Sequence, residues 1–262
     1  MTLKEWNTDQ GIDFEEGSID CYEKLKPFNR RILWLEVASS NNDRKIVAQY
    51  YLDCVRQLGA TARIILGDRG TEMVNVAAIQ RFFRRSSEDE KRIEFIYGKS
   101  TSNQRIEAWW GRLRQGCADW WIEYFKNLRD SGLYNDKNVI HRECLKFCFM
   151  DLMQEELHRV VLEWNFHRIR PSANLESPSE KPDILYFLPE LKGAQDYSTL
   201  IDVDKIEIAD QMCATRPQAK GCCPVFKVLG EMIMEDERLD TPTTIGKACQ
   251  LYFVLLDLID DL

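Results

Sequence analysis

An α/β fold is predicted by three observations. Short β-branched and aromatic runs alternate with amphipathic stretches, turn residues mark their boundaries, and the order is strand, helix, strand, helix, strand. The first run, RILWLEV at 31–37, ends in ASSNND, whose Ser, Asn and Asp side chains suit a helix start. From Asp43 the apolar positions Ile46, Val47, Tyr50, Tyr51, Cys54, Val55 and Leu58 recur at helical spacing, and Gly59 stops them. ARIILGD at 62–68 reads as a short buried strand. Residues 72–85 form a second helix with Val76, Ile79, Phe82 and Phe83 inward, and RIEFIYG at 92–98 is a third strand. Strands joined through helices become parallel neighbours.

A long helical segment follows GKSTSN, with Ile106, Trp110, Leu113, Cys117, Trp121, Tyr124 and Leu128 on one stripe, until RDSGLYND breaks it. Another helix is expected over 138–167. Beyond HRIRPSANLESPSEKPD, rich in Pro and Ser, the elements shorten and the chain turns acidic, so a boundary is placed near 185. The organisation expected is an N-terminal segment 1–17, a core 18–185 and an acidic, mostly helical extension 186–262, read as an appendage. Within that extension, Thr241, Pro242 and Thr243 open a last helix whose stretch CQLYFVLLDLI is apolar nearly all round, which suits burial in a partner or a second copy.

Composition sets outer limits. With 44% hydrophobic and 30% charged residues, the 262-residue chain can bury a substantial core. The longest apolar run, LYFVLL at 251–256, is too short to cross a bilayer, and no membrane partner is expected. The opening MTLKEWNTDQ lacks a secretory pattern, and nine cysteines then imply reduced thiols in a nuclear or otherwise intracellular protein that is not secreted. The net charge of −8 is unevenly spread. Residues 175–262 hold 8 Lys and Arg against 17 Asp and Glu, a net of −9 that leaves +1 for the rest. Between 79 and 114, nine basic residues (Arg81, Arg84, Arg85, Lys91, Arg92, Lys99, Arg105, Arg112 and Arg114) face five acidic ones, a balance that suits phosphates or a solvated helix face.

Three carboxylates fall where an α/β core can direct them to one point: Asp20 in GSIDCYE, Asp68 at the end of a core strand, and Glu107 in the first turns of the long helix. Such a group repels itself unless cations lie among its members. Mg²⁺ takes oxygen ligands, and a pair of ions about 4 Å apart can activate an attacking oxygen and stabilise a leaving one at a phosphodiester.

The stretch ILGDRGTEM resembles the strand-turn of retroviral-type integrase cores, where Asp-x-Gly-Thr-Glu carries the second metal ligand, and STSNQRIEAWWGRLR resembles the helix that carries their Glu. Asp68 and Glu107 have 38 residues between them, close to the spacing near 35 usual for the Asp-Asp-Glu integrases and transposases. EWNFHRIRPSANLESPSEKPD resembles the Asn-x-x-Arg-Pro segment and Pro-rich stretch that close such cores. The likeness covers about residues 18–185 and is greatest to integrase-core proteins encoded in animal genomes.

The resemblance implies a ribonuclease-H-like mixed sheet flanked by helices, DNA as partner, a homo-oligomer, and two Mg²⁺ or Mn²⁺ ions held by Asp20, Asp68 and Glu107. Lys99, Asn103, Arg105, Arg112 and Arg114 would hold the nucleic acid. In the family the first Asp is followed by a hairpin to a second strand and then a third. Here only CYEKLKPFN separates Asp20 from RRILWLEV, so the first hairpin is shortened and the middle strand has too little chain. A catalytically inactive, domesticated core serving as an interaction module is the competing expectation.

Plainer readings stand beside these. Asp68 also suits a turn before Gly70, and Glu107 an early-helix acid favoured by the macrodipole. Asn103, Glu107, Gly111 and Arg114 recur at helical spacing as a polar strip that a DNA backbone can approach. His141, Cys144 and Cys148 share a helix face, but a fourth ligand has no evident spacing, so packing is expected rather than zinc. Cys222 and Cys223 are likewise read as packing, and Trp109, Trp110, Trp120 and Trp121 as core and interface residues before base-stacking ones. His167, Arg168 and Arg170 fit a phosphate contact and a helix C-cap equally.

Overall fold

The computed structural model describes residues 13–17, 22–23, 26–27, 30–38, 44–67, 71, 73–85, 93–97, 104–171, 178–213 and 221–260; for 13–27, 104–107 and 260 it describes the backbone alone. The expected α/β alternation is present. Strand β1 (Asp13–Gly17) is followed by a two-residue ladder of β2 (Tyr22–Glu23) with β3 (Lys26–Pro27), then β4 (Trp34–Ala38) and helix α1 (Arg44–Leu58). Next come β5 (Ala60–Thr61), β6 (Ile65–Gly67), α2 (Met73–Arg84) and β7 (Phe95–Tyr97). The helical half runs through α3 (Gln104–Leu113), a π turn (Arg114–Ala118), α4 (Asp119–Asp130) and α5 (Val139–Phe166). The chain then adds α6 (Pro182–Phe187), a 3₁₀ turn (Pro189–Lys192), β8 (Thr199–Leu200), α7 (Val203–Asp210), α8 (Pro224–Asp236) and α9 (Ile245–Asp260).

Strands β6 and β7 are parallel neighbours, Ile65 opposite Phe95 and Gly67 opposite Tyr97, as the alternation predicts. The single mixed sheet does not follow. Among the described residues the strands form four two-stranded ladders: β1 with β4, β2 with β3, β5 with β8, and β6 with β7. A physical reason lies at β4. One edge pairs antiparallel with β1, Asp13 opposite Ala38 and Gly17 opposite Trp34. On the other edge Gln154 of α5 replaces a strand, accepting from Val37 N at 2.8 Å and donating to Leu35 O at 3.0 Å. Just ahead of the strand, Asn165 does the same for Ile32, with both bonds at 2.9 Å. Side-chain amides carry the same donor and acceptor as a peptide group, so they satisfy backbone that a sheet would otherwise pair. Strand β1 also lies ahead of residue 18, where the sequence places the start of the core.

Strand β4 is the wall between two apolar cores. Ile32, Leu35 and Val37 join a core built from the π turn and α3, α4, α5, α8 and α9, while Leu33 and Trp34 pack against a second core of α1, α2, β6, β7 and α7. The extension completes both cores rather than standing apart as an appendage. Ile201, Ile206 and Ala209 enter the second core, and β8 pairs with β5. In the first, Ala248, Leu251, Tyr252, Leu255 and Leu256 of α9 are buried, so the helix expected to seek a partner finds it in this chain's own helical core. Helix α8 approaches α5 closely because position 230 has no side chain; a Cβ at Gly230 would meet the Phe147 ring at 2.8 Å.

The stripe along 104–130 holds at Leu113, Cys117, Trp121 and Leu128, which are buried, and shifts between them and at its start: Trp109 and Phe125 are buried, whereas Trp110 and Tyr124 are half-buried. Steps of four residues drift by about 40° each in an α-helix. The π turn at Arg114–Ala118 takes up an extra residue and brings the downstream half back to the core.

Candidate active site

The carboxyl ends of parallel strands are where open α/β sheets build their sites, because the loops leave there and helix N-termini face them. Strands β6 and β7 end in register, Gly67 beside Tyr97. Asp68 is the next residue after β6, and the chain leaving β7 leads into α3, whose fourth residue is Glu107. Gly67 is required by its surroundings: a Cβ there would lie 2.6 Å from Phe95 Cζ and 3.0 Å from Met73 Cε. Gly67 thus lets β7 and α2 close on the end of the strand that precedes Asp68.

Of the sequence-predicted site residues, Asp20, Asp68, Lys99 and Asn103 lie outside the described residues. Glu107 and Arg105 have their backbone in the first turn of α3, without a described side chain. Arg112 is exposed and its guanidinium lies 5.6 Å from the centre of the Trp164 ring. Arg114 is committed to a 2.8 Å ion pair with Asp119 across the π turn. Within the wider basic stretch, Arg84 bonds Thr199 Oγ1 and thereby secures the extension.

Around Trp164 the structure gathers residues that spacing does not connect. Its indole N–H donates to Arg30 O at 2.7 Å, Trp109 meets it edge-on at 6.1 Å, and the His167 ring lies 4.5 Å from it. His167 caps α5, with Nδ1 on Trp164 O at 2.5 Å. That is the capping alternative for His167. Arg168 is 73% exposed and lies 3.8 Å from Glu180, so it is only loosely engaged. Trp164 and His167, three apart along the chain, carry the only sequence signal for this cluster; its tie to Arg112 and Arg30 is purely tertiary.

His141, Cys144 and Cys148 are engaged in packing. His141 Nδ1 lies 2.9 Å from Tyr252 Oη, which also donates to Leu133 O at 3.1 Å, and both cysteines are buried in the helical core. Cys222 is buried, and Cys223 caps α8 by accepting from Phe226 N. Among the described residues no group of three or more His, Cys, Asp or Glu side chains could hold a metal ion. Burial pushes the thiols of Cys54 and Cys117 up to about 12, which keeps them protonated at neutral pH and poor nucleophiles. Trp109 and Trp121 are core residues, Trp110 is half-buried, and Trp120 is 49% exposed and stacked on Tyr124. No described helix is long and apolar enough to cross a membrane.

The model of the integrase core domain family matches residues 14–193, from within β1 to just past the 3₁₀ turn. That family implies a ribonuclease-H-like fold and suggests interaction with DNA. No curated protein and no solved structure matches the chain. Because the match spans more than half of the 262 residues and includes the β6 edge, Asp68 and the Glu107 helix, the chain belongs to the integrase core domain family.

Proposed function

We propose that this protein is a nuclear or intracellular, homo-oligomeric polynucleotidyl transferase that cleaves DNA ends and joins them to a target strand. The observation that carries the reading is the common edge: β6 and β7 end side by side, with Asp68 following one and the Glu107 helix following the other. Asp20, Asp68 and Glu107 form an all-oxygen donor set, which fits hard divalent ions and would hold two Mg²⁺ or Mn²⁺. When bound, such ions activate a water or DNA 3′ hydroxyl and stabilise the leaving oxygen of an in-line displacement. The chain's own part is positional. Asp68 is delivered by a strand end packed against Phe95 and Met73, Glu107 by a rigid helix, and Lys99, Asn103, Arg105, Arg112 and Arg114 would orient the sugar-phosphate backbone.

One observation favours the non-catalytic reading. Strand β4 pairs directly with β1 and its other edge is held by Gln154, so the described strands leave no room there for the family's middle strand. A domesticated module would keep DNA or protein binding without chemistry. Labelled DNA ends incubated with Mg²⁺ or Mn²⁺ separate the two readings. Wild type is expected to nick and join at least ~100-fold faster than Asp68→Asn or Glu107→Gln, in the range that loss of an essential electrostatic group costs. Equal rates in all three proteins would remove the transferase reading and leave the binding module.

A further inference from the structure

The site carboxylates account for chemistry but not for how a duplex is gripped beyond it. We propose that Arg112, held over Trp164, and Arg168 and Arg170, on the stretch that leaves the Trp164–His167 cap, form a phosphate clamp for the DNA strand running away from the carboxylate edge. This rests on the DNA reading above.

Arg112 follows Glu107 by five residues, about 7.5 Å along the helix axis. Its guanidinium lies over Trp164 while the residue stays exposed, so the ring holds the cation without removing it from solvent. Trp164 is itself fixed by its bond to Arg30 O and by Trp109 and His167, a support that holds the cation in place before any ligand arrives. A guanidinium held this way suits bidentate recognition of a phosphate better than stacking with a base, because the aromatic ring is already covered by Arg112 and His167.

The segment after His167 supplies the rest. Ile169 is buried and anchored by its N–H to Glu180 O at 3.1 Å, while Arg168 and Arg170 on either side are exposed. That alternation leaves two guanidiniums along a secured, extended stretch, which suits a repeating anion. Among the described residues Arg170 has no ion pair, and Arg168 reaches only the loose 3.8 Å contact with Glu180, a carboxylate that Lys192 also approaches at 3.7 Å. The neighbouring Arg31 is excluded from the clamp, being bonded to Asp183 at 2.6 Å and held over Tyr186 and Phe187. Glu163, an exposed acid in the last turn of α5, opposes phosphate at this end of the helix.

The test is fluorescence anisotropy of the full chain with a labelled duplex of about 30 base pairs in EDTA, so that binding is read without catalysis, over a salt series. The double variant Arg112→Ala, Arg170→Ala is expected to bind at least ~10-fold more weakly near 0.1 M salt, and the slope of log K against log salt to fall by about 2, one unit for each phosphate no longer neutralised. Arg112→Lys, Arg170→Lys should keep the slope and recover only part of the affinity, since an ammonium cannot form the fork. Lys126→Ala, Lys247→Ala on other surfaces should change neither. If Arg112→Ala disturbs folding, Arg168→Glu, Arg170→Glu replaces two exposed residues and should weaken binding further. Unchanged affinity and slope in both Arg variants would overturn the clamp while leaving DNA binding intact. Absence of binding by wild type at low salt would overturn the DNA reading itself.

Discussion

The two cores on either side of β4 are completed by the same C-terminal extension, yet they are built on different principles. The helical core is an aromatic stack in which Trp121, Phe125 and Phe149 meet at ring separations of 5.4 to 6.4 Å, and α9 closes it with apolar side chains plus the Tyr252 hydroxyl. The α1–α2 core holds a buried polar knot: Tyr51 Oη lies 2.7 Å from Thr61 Oγ1 and donates to Gln80 Oε1 at 2.6 Å, while Gln80 Nε2 donates to Ala62 O. Thr61 belongs to β5, whose partner is Thr199 in β8. The knot thus fixes the register on which the extension adds a strand. Shape closes one core, and hydrogen-bond pairing closes the other.

That difference can be broken at graded cost. Tyr252→Ala removes a fully buried aromatic ring and its bonds to His141 and Leu133, and should destabilise the chain by about 3–5 kcal/mol in chemical denaturation. A cost below about 1 kcal/mol would mean that α9 is not integral to the helical core. Asn165→Ala strips Ile32 of both amide partners and should cost about 2–3 kcal/mol, with hydrogen exchange at Ile32 accelerating more than at α1. Exchange rising equally in both regions would show that the amide bonds are not local to β4. Tyr51→Phe removes one hydroxyl from the polar knot, for which about 1–2 kcal/mol is expected, and amide protection at Thr61 should fall.

The smallest effect depends on pH. Burial raises the pKa of Glu143, but the donors Lys146 Nζ and Cys223 N–H outweigh it and hold the carboxyl below its ordinary 4.5. A group whose folded pKa is depressed stabilises the fold above its unfolded value, and that contribution is lost as pH falls through the folded value. Glu143→Gln should therefore lower Tm modestly at neutral pH, flatten its decline from about pH 6 to about pH 3, and converge with wild type in acid. An unchanged acid limb would show that the contact of α5 with the start of α8 carries no linkage.

Much of this architecture is legible in the sequence because its signals are local. The helix read from Asp43 to Leu58 is present as α1 over Arg44–Leu58, and the strand-helix-strand order through Tyr97 follows the periodicity. The failures share a cause in tertiary contact. RILWLEV forms a strand only from Trp34, since the Asn165 side chain, 133 residues away, takes the backbone of Ile32. The last helix reads as made for a partner because nothing in its own sequence reveals that α5 offers an aromatic face. For the site, Asp68 and Glu107 are readable from a motif and a spacing. The meeting of Arg112 with Trp164 is not, since it exists only when α3 lies against the end of α5.

The π turn at Arg114–Ala118 gives the helix of Glu107 a phase as well as a position. Straightening that turn into ordinary helix with all five residues kept would rotate α3 by about 90° against α4, whereas deleting one of them, Gly116 for instance, whose surroundings are open, would leave the two helices nearly in phase. Every contact of α4 with the core could survive such straightening while the start of α3 turned elsewhere. In this chain the bearing of the Glu107 helix is kept by the wide turn that holds an extra residue, and changes within 114–118 that straighten it are those to which that bearing is most sensitive.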